Sequence, residues 1–349
     1  MRLFHTLLLL TAPLALGSCG GSGGSAPPVA SGAPTPTPTV APTPTPSPAA
    51  TSIERDVLPA VTSPAISTAF SAHFTVTPSP AVAPAGRLFV MLPGTGAIPR
   101  FYREVARTGA TRGYHGIGLT YPNDVAVGDR CAGNADLDCA AKVRREVVTG
   151  DNTSPLIDVT PADSIAGRLA VLLAYMHGAY PTEGWGQFLV GGQLDWSRIT
   201  VAGHSQGGGH AAFMAKLFVL DRTVMFSSPG DIGQTQGTLA PWMSWPNLTP
   251  AARQFGFTHT ADELVPLALI TANWRLIGLD SFGPATSVDG TALPFGGSHQ
   301  LVTSAPANPN PVGPVAAPLH ASPVVDAATP IAPGGDLLYR PVWIFLAFP

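Results

Sequence analysis

A short run of small residues around Ser205 limits this chain more than any other feature in it. Ile199, Thr200 and Val201 read as a β-branched strand, and the residues from Gln206 onward read as a helix. The chain must therefore pass from strand to helix within Gly203-His204-Ser205-Gln206-Gly207. So tight a turn holds Ser205 at an unfavourable φ, and side chains two residues before or after it would collide across the turn. Glycine at 203 and 207 removes those collisions. The turn lifts the Ser205 hydroxyl clear of a sheet and aims a helix N-terminus, with its free N–H groups, at the space in front of it. This arrangement suits a nucleophile whose reaction develops an oxyanion, and the Gln206 N–H is the first candidate donor to it. Gly208 and Gly209 prolong the run and let the helix start approach neighbouring strands, although glycines also weaken a helix. The alternative is a glycine-rich helix start carrying an incidental serine.

Around this turn, strand-like and helix-like runs alternate. Residues 69–77 and 86–92 are apolar or β-branched and closed by proline or glycine, as buried strands are. A helix is expected over 100–113 and a strand over 115–119. In 163–177, Ile165, Leu169, Leu172, Leu173 and Met176 recur at helical spacing. Then follow a strand over 198–202, a helix over 206–220, strands over 223–227 and 254–260, a helix over 265–279 and a last short strand over 300–304. This alternation predicts an α/β fold: a mostly parallel sheet covered by helices on both faces. The Pro-Thr tract near the start is the one internal repeat.

The chain has 349 residues, of which the first fifty or so have no apolar set to bury. Met1-Arg2 and the apolar run from Leu3 to Leu16, ended by small residues before Cys19, read as a secretory signal peptide over 1–18. Cys19 then resembles the lipobox cysteine of bacterial lipoproteins, whose thiol is diacylated. Ordinary cleavage would instead leave an unpaired thiol in an oxidising compartment. Residues 19–52 form a Gly/Ser-rich and Pro/Thr-rich linker, extended at about 3.1 Å per residue where it is polyproline-like. The expected location is the bacterial cell envelope, with the membrane touched through the lipid anchor only. One catalytic domain is expected over 53–349. Within it Cys131 and Cys139 lie close together without zinc-finger spacing, so a local disulfide worth on the order of 2 kcal/mol is the economical reading.

Together these features resemble the α/β-hydrolase superfamily, in its esterase and lipase branch, over about residue 69 to the C-terminus. The resemblance rests on Leu92-Pro93-Gly94-Thr95-Gly96, Tyr121-Pro122-Asn123, the paired cysteines and the run Gly203 to His210. It implies a lid-like insertion and a second oxyanion element after the early strand, with the N–H of Thr95 or Gly96 as donor; lipases often carry His-Gly or Gly-Gly there. It also implies the chain order serine, acid, histidine. Asp262 follows the strand over 254–260 and is preferred as the acid to Asp231, which follows the strand before. His320 follows the last strand and is preferred as the base to His299, which precedes it and belongs at the opposite end of the sheet. His204 is expected to point inward as packing, and His210 to be structural.

A formal net charge of −3 with 11% charged residues gives no basic stripe, so nucleic acid is not an expected partner. No His/Asp/Glu group has metal-ligand spacing, and neither a metal nor a cofactor is expected. Residues 120–196, with Trp185 and Trp196, are expected to form the lid or a substrate wall, although a tryptophan there is more often packed. The expected activity is hydrolysis of a small-molecule or lipid ester by a monomer, through an acyl-enzyme on Ser205. The alternatives are an amidase or peptidase with the same residues, or a surface-displayed binding protein without turnover.

Overall fold

The computed structural model describes residues 51–68, 70–233 and 238–349. The expected signal peptide, Cys19 and the linker up to residue 50 lie outside the described residues. The strands, in chain order, are β1 (Ile53–Val57), β2 (His73–Thr77), β3 (Leu88–Leu92), β4 (His115–Gly118), β5 (Leu189–Val190), β6 (Gln193–Leu194), β7 (Ile199–His204), β8 (Arg222–Phe226), β9 (Gln254–His259), β10 (Thr286–Ser287) and β11 (Gln300–Thr303). Nine of them form one sheet in the order β1-β2-β4-β3-β7-β8-β9-β11-β10, and β5 and β6 make a separate antiparallel ribbon. From β4 to β10 every pairing is parallel; β2 runs antiparallel to β4, and β1 antiparallel to β2.

The helices are α1 (Pro59–Thr62), α2 (Arg103–Ala110), α3 (Val127–Cys131), α4 (Cys139–Thr149), α5 (Ile165–Ala179), α6 (Gln206–Leu217), α7 (Leu267–Ile277), α8 (Pro318–Ala321) and α9 (Arg340–Ala347). The pleat of the central strands sorts their side chains onto two cores. Leu88, Val90 and Leu92 of β3, with Ile199 and Val201 of β7, face a core shared with α4, α5, α6 and α7. Phe89 and Met91 of β3, with Ala202 of β7, face the opposite core, built with α2 and α9. The protein is thus an α/β fold with a large, mostly parallel sheet flanked by helices.

Local chemistry sets the element ends. The Ser164 hydroxyl accepts the Gly167 N–H, so α5 starts at Ile165 behind an N-cap worth about 1 kcal/mol. Gly150 closes α4 in the left-handed conformation, with its N–H on the Glu146 carbonyl. A disulfide joins Cys131 at the end of α3 to Cys139 at the start of α4. Among the described residues no helix is long and apolar enough to cross a membrane.

Candidate functional site

Ser205 stands at the carboxyl end of β7, in the middle of the sheet, with φ 54° and ψ −119°. Its N–H is tied to the Phe226 carbonyl of β8 at 2.9 Å, so the strained conformation is held from the neighbouring strand. Each glycine around it answers to a different neighbour. A Cβ on Gly203 would lie 2.1 Å from the Gly207 carbonyl carbon, and one on Gly207 2.1 Å from the Leu92 carbonyl oxygen. One on Gly208 would meet the Ser228 hydroxyl at 1.9 Å, and one on Gly209 the Arg144 guanidinium at 2.2 Å. The expected collision across the turn thus holds for Gly203, whereas Gly207 makes room for the β3 loop. The three glycines of α6 are each roughly 1 kcal/mol worse than alanine in a helix, and none of the four could be alanine without displacing a neighbour.

Two consecutive carboxylates after β9 converge on His320. The Asp262 oxygens lie 2.7 and 2.8 Å from His320 Nδ1, and Asp262 also accepts the N–H groups of Leu264 and Val265. A carboxylate only accepts, so Nδ1 carries the proton, and in the neutral ring Nε2 keeps its lone pair. Nε2 is buried with no hydrogen-bond partner among the described residues. Burial pushes the Asp262 carboxyl up, but the hydrogen bond and charge of His320, with the two N–H groups, outweigh it and hold the carboxyl below its ordinary value. Glu263 accepts the Leu319 and His320 N–H groups at 2.8 and 2.7 Å, which caps α8 and fixes the backbone that carries the imidazole.

The sequence alternatives stand elsewhere. His299 immediately precedes β11, stacked between Phe255 and Phe282, with Nδ1 on the Gln254 carbonyl. Asp231 is engaged by Arg144 and by the Trp242 indole N–H.

The loop after β3 faces Ser205 from the other side. The Gly94 N–H goes to the Tyr102 hydroxyl and the Gly96 N–H to the Asn123 carbonyl, while the Thr95 N–H has no partner among the described residues. Asn123 also donates its side-chain amide to the Gly94 and Ala97 carbonyls, and the Tyr121 hydroxyl donates to the Pro93 carbonyl. Gln206 opens α6, so its N–H has no intrahelical acceptor. Its side-chain oxygen accepts the Val127 N–H at 2.9 Å and the Thr95 hydroxyl at 3.3 Å. Thr95 and Gln206 are thereby tied to each other through the Gln206 side chain, and both line the cavity that holds Ser205.

His204 does more than pack. Its Nε2 lies 3.0 Å from the His320 carbonyl, which can only accept, so Nε2 is the donor and Nδ1 accepts from Tyr102 at 3.0 Å. A directed chain runs from the Gly94 N–H through Tyr102 and His204 to the His320 backbone, joining the two sides of the site. The Ser227 hydroxyl, from another positive-φ residue, donates to the same carbonyl. Burial, reinforced by the charge of His320, lowers the His204 pKa to about 3 and keeps the ring neutral. His210 is fully buried, and neither ring nitrogen has a partner among the described residues.

Ser205, His320, Gln206 and Thr95 line one cavity of about 1380 Å³. Phe101, Leu264, Val312 and Ile331, all exposed, give it an apolar rim. Both tryptophans of the 120–196 segment are packed: Trp185 is fully buried in the core against His115, and Trp196 stacks on Phe218, so neither lines the cavity. From that segment Ala126, Val127, Gly128, Asp129 and Arg144 reach it, and the opposite wall comes from the loop between β11 and α8. Among the described residues no group of three or more His, Cys, Asp or Glu side chains is arranged to hold a metal ion. Comparison with protein-family models and with curated proteins finds no match for the chain.

Proposed function

We propose that the protein is a serine hydrolase of the α/β-hydrolase type that cleaves carboxylic esters through an acyl-enzyme. The observation that carries this reading is a single cavity shared by Ser205 on its strained turn and by His320, whose Nδ1 is held by Asp262 and whose Nε2 is unengaged. In this reading the Ser205 hydroxyl passes its proton to His320 Nε2 as Oγ bonds the acyl carbon. The charge that develops on the carbonyl oxygen is met by the Gln206 and Thr95 N–H groups. Collapse releases the alcohol, which takes the proton from His320, and water activated by the same histidine then frees the acid and Ser205. The apolar rim suits an acyl chain or lipid ester, and the loop between β11 and α8 takes the place of a lid. Export and diacylation of Cys19 would hold the domain at the cell envelope, with the linker as spacer.

A fluorophosphonate probe tests the reading: the wild-type chain is expected to be labelled at Ser205, and Ser205→Ala to be unlabelled and without turnover of p-nitrophenyl esters. Labelling that survives in Ser205→Ala, or folded wild-type protein that resists the probe, would remove it.

A further inference from the structure

The first turn of α6 has to present the Gln206 N–H in one direction, yet Gly207, Gly208 and Gly209 follow it and give that turn little stiffness of its own. Rigidity must come from outside. The Gln206 side chain supplies part of it through Val127 and Thr95. The rest comes from α4, whose Arg144 reaches across the core and donates from Nη1 to the Gln206 carbonyl at 3.2 Å.

Arg144 is itself held on three sides. Its Nε donates to Asp231 at 2.6 Å, and its Nη2 to the other oxygen of the same carboxylate. Trp242 donates its indole N–H to Asp231 at 2.9 Å and packs edge-on against Phe213 of α6. The pair is almost fully buried at the cavity wall, with side chains 2% and 6% exposed. Finally, the guanidinium occupies the space a Cβ on residue 209 would need, so Gly209 and Arg144 depend on each other. A buried ion pair is weak evidence for stability, because apolar residues of similar volume often serve as well. It does supply fixed geometry, since a bidentate guanidinium has one orientation on its carboxylate.

We propose that Arg144, clamped by Asp231 and Trp242, is a positioning residue that aims the Gln206 N–H at the developing oxyanion. This rests on the reading of Ser205 as nucleophile. It also gives Asp231 a role without contact to the base, since among the described residues the partners of its carboxylate are Arg144 and Trp242 while His320 is held by Asp262. Thr95 and Gln206 touch the reacting oxygen in this scheme; Arg144 acts through Gln206.

The test uses the full-length chain and two independent variants. Arg144→Met with Asp231→Leu removes both charges, so no unpaired charge is left buried, and Gly209→Ala displaces the guanidinium without altering any charge. Each is expected to lower kcat on p-nitrophenyl butyrate by roughly 10- to 100-fold, as small misplacements in active sites do. KM should stay within about twofold, since the lost interaction belongs to the transition state. Phosphonylation of Ser205 should slow in parallel, and the acidic limb of the kcat/KM pH profile should stay in place because His320 keeps Asp262. Wild-type kcat in both variants, or a loss confined to KM, overturns the proposal. A shifted acidic limb in the double variant overturns it too, by tying Asp231 to the base. If the double variant does not fold, Gly209→Ala decides alone. A wild-type chain that the probe does not label defeats the hydrolase reading and this one with it; a labelled wild type with unaffected variants defeats this one only.

Discussion

At the scale of residues, Asp262 and Glu263 hold one histidine by two different handles. Asp262 grips the imidazole and Glu263 the backbone N–H, so their replacements should fail differently. In Asp262→Asn the new amide can donate to Nδ1, which turns the proton onto Nε2 and blocks it as an acceptor. Turnover of a short-chain ester is expected to fall by on the order of 10³–10⁴ in kcat with little change in melting temperature. Near-native kcat in Asp262→Asn would show that the contact is only structural. Glu263→Ala keeps the tautomer but frees the α8 backbone, so the expected loss is on the order of tenfold in kcat and about 1 kcal/mol in stability. Urea unfolding alongside kinetics separates the two effects, and Glu263→Gln, which still accepts, should recover part of both. The pairing of Asp262 with His320 was legible because strand placement, together with the chain order that the family resemblance implies, puts both after late strands at one end of the sheet. The His204 bridge was not, because its partners Tyr102 and His320 are 102 and 116 positions away. Asn123 stood in a recognised tripeptide, yet nothing in that tripeptide says that its amide would lock the loop at Gly94.

At the scale of elements, the buried parallel strands were readable and the edges were not. Runs such as Leu88–Leu92 and Ile199–His204 are buried along their whole length and announce themselves by apolar, β-branched content. Strand β1 reads Ile-Glu-Arg-Asp-Val and is mostly exposed; it is made by pairing with β2 and by Arg55 on Glu183, which no local pattern reveals. Helix α4 was hidden because its buried face includes Arg144 and Glu146 beside Ala140, Val143 and Val147. The Cys131–Cys139 bridge joins two short elements that both reach Gln206, α3 through the Val127 N–H and α4 through Arg144. Replacing both cysteines by alanine is therefore expected to cost about 2 kcal/mol, on the order of 4 °C in melting temperature, and to lower kcat several-fold while Ser205 stays reactive. Calorimetry and ester turnover on the same preparation check this, and an unchanged melting temperature would show that α3 and α4 are fixed by packing alone.

At the scale of the whole molecule, burial of neutral histidines couples stability to pH. Burial, with Arg168 adding to it, lowers the His73 pKa to about 3; His204 falls to about 3 as well, and His210 is pushed well below its ordinary value by burial and Arg144. The unfolded chain titrates these rings near pH 6.5, so between that pH and about 3 His73 and His204 decline in the folded protein protons that the unfolded chain binds, and His210 acts in the same direction. Stability must then fall as pH drops below 6.5, by about 2 kcal/mol per histidine at pH 5. Asp326 opposes this. Burial raises its carboxyl to about 7, so the stability it contributes is complete at low pH and is lost as pH rises through 7, which offsets about one histidine. His73 and His204 less this offset leave about 2 kcal/mol to be lost by pH 5, and His210 adds to the loss in the same direction. Melting temperature is thus expected to drop between pH 6.5 and 5, above the range where ordinary carboxylates titrate. The histidines can be separated from the carboxyl by His73→Asn, whose side-chain oxygen can replace Nδ1 as acceptor for the Thr120 N–H. That variant should lose about one proton from the slope of stability against pH, measured by denaturant unfolding at several pH values. A slope identical to the wild type would mean that His73 takes up its proton in the folded state, and with it that the site's neighbouring strands tolerate a buried charge.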